Sequence, residues 1–136
     1  MAKQKKKYAP GFYHVTFSSK LRKRILVEAI KDRIAFWFEK IAQEKGFELI
    51  EYFVMPDHVH MVIRLGPEES LSYWMQLLKG RTSREIFKEF DSLRLDAGIS
   101  NLWTKSFGSK YVPPERLDAV LNYIRRQEEI HARRLG

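Results

Sequence analysis

Two histidines two positions apart, and a tyrosine followed one helical turn later by a glutamine, are the residues whose types and spacing can do chemistry. His58 and His60 lie in residues 54–65, which read V-M-P-D-H-V-H-M-V-I-R-L. Met55, Pro56 and Asp57 give a turn signal, because proline fixes φ and aspartate bonds its own backbone. The run after them is β-branched and apolar, as a buried strand is. Alternation puts Val59, Met61, Ile63 and Leu65 on one wholly apolar face and His58, His60, Val62 and Arg64 on the other. The two imidazoles then stand side by side, with roughly 6.6 Å of rise between their Cα atoms. Two imidazoles on a rigid strand can hold one metal ion. A lone His-x-His is also often two ordinary histidines making hydrogen bonds, so the rest of the chain must decide.

The second pair lies near the C-terminus. Leu117, Val120, Leu121 and Ile124 recur at i, i+3, i+4 and i+7 and form a packing stripe. Tyr123 and Gln127 lie one turn apart on its edge. By themselves they read as a packing tyrosine and a solvated glutamine. Beside the histidines they make chemical sense together. Two imidazoles and an amide oxygen are neutral ligands, which leave a metal's charge uncancelled and positions open for a phosphate oxygen and water. Such a metal is a Lewis acid for phosphodiester chemistry, and an adjacent tyrosine is a nucleophile.

The elements that must position these residues can be read in order. Residues 11–18 alternate as a first strand, with Tyr13, Val15 and Phe17 opposite Phe12, His14 and Thr16. Ser18-Ser19 offers a cap for a helix over residues 21–45, with Leu26, Val27, Ile30, Ile34, Phe38 and Ile41 as its apolar positions and Gly46 as its C-cap. Residues 47–54 form a second strand, with Phe47, Leu49 and Phe53 opposite Ile50, Tyr52 and Val54, and pair with the histidine strand as a hairpin. Ser70 caps a second helix towards Phe90, with a kink expected at Gly80 and a restart at Thr82-Ser83. Residues 91–101 read as loop with some helix. Residues 102–107 are strand-like, ended by Gly108-Ser109, and 110–112 are a short partner. Pro113-Pro114-Glu115 opens the last helix. The order β-α-β-β-α-β with an appended helix predicts an α+β, ferredoxin-like antiparallel sheet, with both long helices on one face. The histidines would face the other side, towards the appended helix.

At 136 residues with 44% hydrophobic content the chain is one domain, 1–136, with a basic, frayed arm at 1–7. The absence of cysteine excludes disulfides and thiolate metal sites. No apolar run approaches the roughly 20 residues that span a bilayer, and no apolar segment follows the basic start as in a signal peptide; a cytoplasmic protein is expected. A net charge of +8 favours a polyanionic partner, nucleic acid before membrane. The cations cluster, as Lys3, Lys5, Lys6 and Lys7; Lys20, Arg22, Lys23 and Arg24; Lys79, Arg81 and Arg84; and Arg125, Arg126, Arg133 and Arg134. Of these, Lys79, Arg81, Arg84, Arg125 and Arg126 are the candidate DNA contacts. Trp74, Trp103, Phe107 and Tyr111 can stack on unpaired bases, although core packing is the better reading for most of them.

Taken together, the chain resembles the HUH single-tyrosine transposases, the IS200-like enzymes of the minimal insertion sequences of bacteria and archaea. The resemblance is carried by residues 54–60 (V-M-P-D-H-V-H), 78–83 (L-K-G-R-T-S), Leu102-Trp103 and 123–127 (Y-I-R-R-Q). It implies that His58, His60 and Gln127 bind Mg²⁺ or Mn²⁺ and that Tyr123 attacks a phosphodiester in single-stranded DNA. The products would be a 5′-phosphotyrosine and a free 3′-OH. It also implies a homodimer acting on hairpins near the element's ends, with His58 and His60 of one chain meeting Tyr123 of the other.

Other residues read more plainly. Asp57 is a turn residue able to support a histidine from behind, His14 could line the same sheet face as the pair but is better read as making a structural hydrogen bond, and His131 is solvated. Two alternatives stand beside transposition: a domesticated HUH nuclease that cuts repeats without mobilising them, and a ferredoxin-like nucleic-acid-binding module without catalysis. A zinc hydrolase is disfavoured, because no nearby carboxylate offers a third ligand or base.

Overall fold

The computed structural model describes residues 8–135, leaving out the side chains of residue 128 and residues 131–135. The basic arm at 1–7 and the side chains of His131, Arg133 and Arg134 therefore lie outside the described residues. The elements are β1 (Gly11–Ser18), α1 (Glu28–Lys45), β2 (Glu48–Met55), β3 (His58–Leu65), α2 (Leu71–Glu89), α3 (Leu93–Ala97), β4 (Gly108–Val112) and α4 (Leu117–Leu135). The strands form one sheet in the order β2-β3-β1-β4, and every pairing is antiparallel. This is the ferredoxin-like arrangement expected from the pattern.

The alternation on β1 and β3 is realised. Tyr13, Val15 and Phe17 join Val59, Met61, Ile63 and Leu65 in the main core, together with Ile34, Phe38 and Ile41 of α1 and Trp74, Leu78 and Ile86 of α2. A separate cluster forms on the opposite face, where Ile124 of α4 is buried on Phe53 and Val62, flanked by Leu117, Val120 and Leu121. Burying an isoleucine side chain contributes about 1.5–3 kcal/mol, so this cluster is what seats α4 on the sheet.

Four local expectations are corrected. On β2, Phe53 does not share a face with Phe47 and Leu49. A register shift between Leu49 and Glu51 inserts one residue, and such a bulge reverses the alternation beyond it. Tyr52 and Val54 therefore join Leu49 on the main core, whereas Phe53, Ile50 and Met55 turn towards α4.

The first helix begins at Glu28, not near Leu21, and Ser19 does not cap it. The buried Ser19 donates its backbone N–H to the Asp57 carbonyl at 3.0 Å and its hydroxyl to the Lys23 carbonyl at 2.6 Å. Leu26 N–H bonds the Pro56 carbonyl at 3.0 Å. The segment makes only a single 3₁₀ turn at Lys20–Arg22 and is held against the turn before β3, and Leu26 enters the core from outside the helix.

α2 runs unbroken through Gly80. Thr82 does not restart a helix; its hydroxyl bonds back to the Leu78 carbonyl at 2.8 Å, and its oxygen accepts the Trp103 Nε1–H at 2.9 Å.

The fourth strand lies at Gly108–Val112, where the sequence suggested a turn and a short partner, and residues 102–107 are not a strand. Trp103 is a buried anchor, and Lys20 N–H to Leu102 carbonyl and Thr104 N–H to Ser18 carbonyl pin its neighbours to the end of β1.

Candidate active site

β3 and α4 bring the chemistry-bearing residues together on the sheet face away from α1 and α2. His58 Nε2 and His60 Nε2 are 3.3 Å apart. The Tyr123 ring stands edge-on to His60, with centroids 5.9 Å apart and planes at 87°. It also meets His14, at 6.2 Å. Tyr123 is half exposed, while Ile124 beside it is the buried anchor. The helix therefore offers the phenol to solvent while its neighbour holds the backbone.

Each imidazole has a partner behind it. His58 Nδ1 lies 2.8 Å from Asp57 Oδ1, and Asp57 Oδ2 receives Arg22 at 3.2 Å. Burial pulls the Asp57 carboxyl upward, but the hydrogen bond from His58 and the charges of Arg22, His58 and Arg24 outweigh it and hold the group below its ordinary range. A carboxylate only accepts, so His58 Nδ1 carries the proton and Nε2 presents a lone pair. His60 Nδ1 lies 3.1 Å from His14 Nε2. Burial, and then the proximity of His58 and His14, push the His60 pKa down to about 4. His14 is lowered as well, by burial and by Lys110. Both rings are thus neutral near pH 7, as ligands or their supports must be.

Two tautomers of His60 satisfy this geometry. With the proton on Nε2, His60 donates to His58 and accepts from His14. With the proton on Nδ1, it donates to His14 and both Nε2 atoms present lone pairs to the same point. The second is the arrangement a cation selects. Two donors about 2.1 Å from an octahedral ion, at right angles, are about 3.0 Å apart, so the observed 3.3 Å separation suits two adjacent positions on one ion. Among the described residues no group of three or more His, Cys, Asp or Glu could hold a metal. Among the described residues, any third protein ligand would therefore be of another type. Gln127 is half-buried one turn beyond Tyr123, and no hydrogen bond joins it to either imidazole.

The candidate DNA contacts divide. Lys79 is buried and donates to the carbonyls of Ser106 at 2.8 Å and Lys105 at 3.3 Å; burial lowers its pKa to about 8. Its charge holds the loop before β4. Arg81 pairs with Glu44 at 3.3 Å and Arg125 with Glu51 at 3.5 Å, whereas Arg84 and Arg126 are exposed. Of the aromatics, Trp74 and Trp103 are core, and Tyr111 is exposed. Sequence reasoning placed His14 outside the catalytic group. Its position beside His60 follows from the β1–β3 register, in which Thr16 pairs with His60 and His14 with Val62, and no local pattern announces that register.

Comparison with known proteins identifies the family. The chain is 29% identical over 117 residues to the ISDra2 transposase TnpA of Deinococcus radiodurans, covering 86% of this chain and 84% of that one. It is 24% identical to the transposase for insertion sequence element IS200 of Salmonella typhimurium, covering 86% and 76%. A crystal structure of a Deinococcus radiodurans protein assigned as a transposase superimposes with a TM-score of 0.71 at 28% identity, over 93% of this chain and 98% of that one. The fold is also that of a REP-associated tyrosine transposase solved with a REP hairpin, at a TM-score of 0.63 and 21% identity, over 96% and 74%. The family model described as "Transposase IS200 like" matches residues 9–127, a span that contains His58, His60 and Tyr123 and ends on Gln127. The chain belongs to the IS200-like transposases.

Proposed function

We propose that this transposase cuts and rejoins single-stranded DNA at insertion-sequence ends through a covalent bond between Tyr123 and a 5′-phosphate. The observation that carries the reading is the Tyr123 ring against His60, on the side chain whose Nε2 converges with that of His58. Tyr123 Oη attacks phosphorus and gives up its proton to solvent. The bond from phosphorus to the 3′-oxygen breaks, and that oxygen leaves with the electron pair and takes a proton as a 3′-OH. Phosphoester energy is kept in the tyrosyl ester, so rejoining by a 3′-OH reverses the step without ATP.

His58 and His60 would hold a divalent ion, Mg²⁺ or Mn²⁺, with Gln127 as the third protein ligand after a small movement of α4. When bound, the ion supplies Lewis-acid polarisation of the phosphate oxygen. Asp57 and His14 orient the two imidazoles, and the half-exposed phenol of Tyr123 meets the strand. Arg84 and Arg126 contribute to binding of backbone and hairpin, an attraction that falls steeply with salt.

The working unit we propose is a homodimer, since excision needs two cleavages and each chain has one such tyrosine. Tyr123 stands beside His60 of its own chain in the structure; α4 follows Pro113 and Pro114, and its exchange between two chains would recreate the same contact in the partner. Such a protein works where DNA is, in the cytoplasm. The test is to incubate the protein with labelled single-stranded oligonucleotides from the ends of its element and Mg²⁺, and to look for an adduct that survives SDS.

A further inference from the structure

His14, Thr16 and Ser18 follow one another along one face of β1, and Thr16 and Ser18 pair with His60 and His58. Tyr123 stands against His14 and His60, towards the His14 end of this row. A cavity of about 340 Å³ occupies the other end. It borders His58 and His60 and is lined by Ser18, Arg22, Thr104 and Ser106; neither Tyr123 nor His14 lines it. Same-face positions on a strand are roughly 6.6 Å apart, so Tyr123 meets the row at His14 and His60 while the cavity runs from His60 on towards His58, Ser18 and Arg22.

The cavity is built for part of a nucleotide. Arg22 uses two of its N–H groups, on Ser18 Oγ at 2.8 Å and Asp57 Oδ2 at 3.2 Å, and its side chain remains 60% exposed with donors to spare. The hydroxyls of Ser18, Thr104 and Ser106 can bond a sugar or phosphate. Phe107 lines the wall and offers an aromatic surface on which a base can stack. Gly108 keeps the floor open, since a Cβ there would lie 3.0 Å from Thr16 Oγ1. Lys79 fixes the loop carrying Thr104 to Phe107 by its bonds to the carbonyls of Lys105 and Ser106.

We propose that this cavity holds the nucleotide on the 5′ side of the broken bond, the one that leaves with the free 3′-OH. The inference rests on the tyrosine reading above. In phosphoryl transfer the attacking and leaving oxygens lie roughly in line. The Tyr123 ring approaches over His14 and His60, so a 3′-oxygen leaving in line with its attack departs towards Ser18 and Arg22. Rejoining requires that this 3′-OH stay in place. Contacts from Arg22 and the hydroxyls keep it there without a covalent bond, and in the reverse step the 3′-oxygen attacks phosphorus while Tyr123 Oη leaves and is reprotonated.

The test uses the oligonucleotide that wild-type protein cleaves, carrying 4-thiothymidine either immediately 5′ or immediately 3′ of the broken bond. Tyr123→Phe keeps the strand intact during irradiation. Mass spectrometry should place the 5′ cross-link on residues 104–107 and the 3′ cross-link elsewhere. A 5′ cross-link on α4 or on residues 110–116 would overturn the assignment. As a second measurement, Ser106→Trp fills the cavity from an exposed position and should lower single-turnover cleavage at least 10-fold; an unchanged rate would also overturn it. The tyrosine reading itself fails separately, if wild-type protein forms no covalent adduct with any strand.

Discussion

Asp57 and His58 are adjacent in sequence and bonded to each other, Oδ1 to Nδ1 at 2.8 Å. A turn residue and a strand residue thus form one unit, a carboxylate that fixes which nitrogen of the imidazole faces the site. Supports of this kind typically affect metal affinity about 10–100-fold. Asp57→Asn keeps the shape and removes the charge. The expected outcome is a rise of about that size in the Mn²⁺ concentration needed for half-maximal cleavage, with an unchanged circular-dichroism spectrum. A metal response equal to wild type would show that the carboxylate plays no part.

The seat of α4 is a small cluster separate from the main core. Ile124→Ala removes a fully buried side chain from Phe53 and Val62, a loss typically of about 2–5 kcal/mol. Because the main core lies on the other face of the sheet, the cost should fall on docking of α4. Hydrogen exchange should quicken across residues 117–127 while β1 and β3 stay protected, and cleavage should drop at least 10-fold. Loss of protection across the whole sheet would show that the two clusters unfold as one.

Much of this layout was legible in the sequence because a period of two on β3 has one solution when four apolar residues share a face. The hydrophobic stripe of α4 and the tyrosine on its edge followed from a period of 3.6 in the same way. What escaped depends on contacts distant in sequence. The bulge in β2 shows no local signal, since Leu49 and Ile50 are both apolar and unbroken alternation fits the strand as well. Residues 21–27 read as helix because what holds this stretch lies far along the chain, with Ser19 N–H on the Asp57 carbonyl and Leu26 N–H on the Pro56 carbonyl. Gly80 suggested a break that the buried residues flanking it override. His14 enters the site only through strand register.

Lys79 gives a pH signature. Its folded pKa is lowered to about 8 by burial, against an ordinary 10.5 in the unfolded chain. Between these values the unfolded state binds more protons, so this side chain makes stability rise with pH from about 8 to about 10.5 and is unfavourable below. Allowing for solvent around the ammonium, the gain should be on the order of 1–2 kcal/mol. Urea denaturation of wild type and Lys79→Met across this range should differ by that rise. Parallel curves would contradict the burial argument.

Sharing of active sites is tested by mixing lesions. If α4 is exchanged in a dimer, a His58→Ala chain paired with a Tyr123→Phe chain gives one doubly damaged site and one intact site, and cleavage returns. We expect this complementation. If each chain completes its own site, both remain defective and no cleavage appears.

The central claim is that Tyr123 is the nucleophile beside a metal held by His58 and His60. The most direct measurement is mass spectrometry of the SDS-resistant adduct formed with end-derived single-stranded DNA and Mg²⁺. The account predicts a 5′-phosphate ester on the peptide containing Tyr123, absent with EDTA, with His58→Ala and with Tyr123→Phe, the last of which still folds and binds DNA. An adduct on another tyrosine, or cleavage that proceeds fully in EDTA, would contradict it.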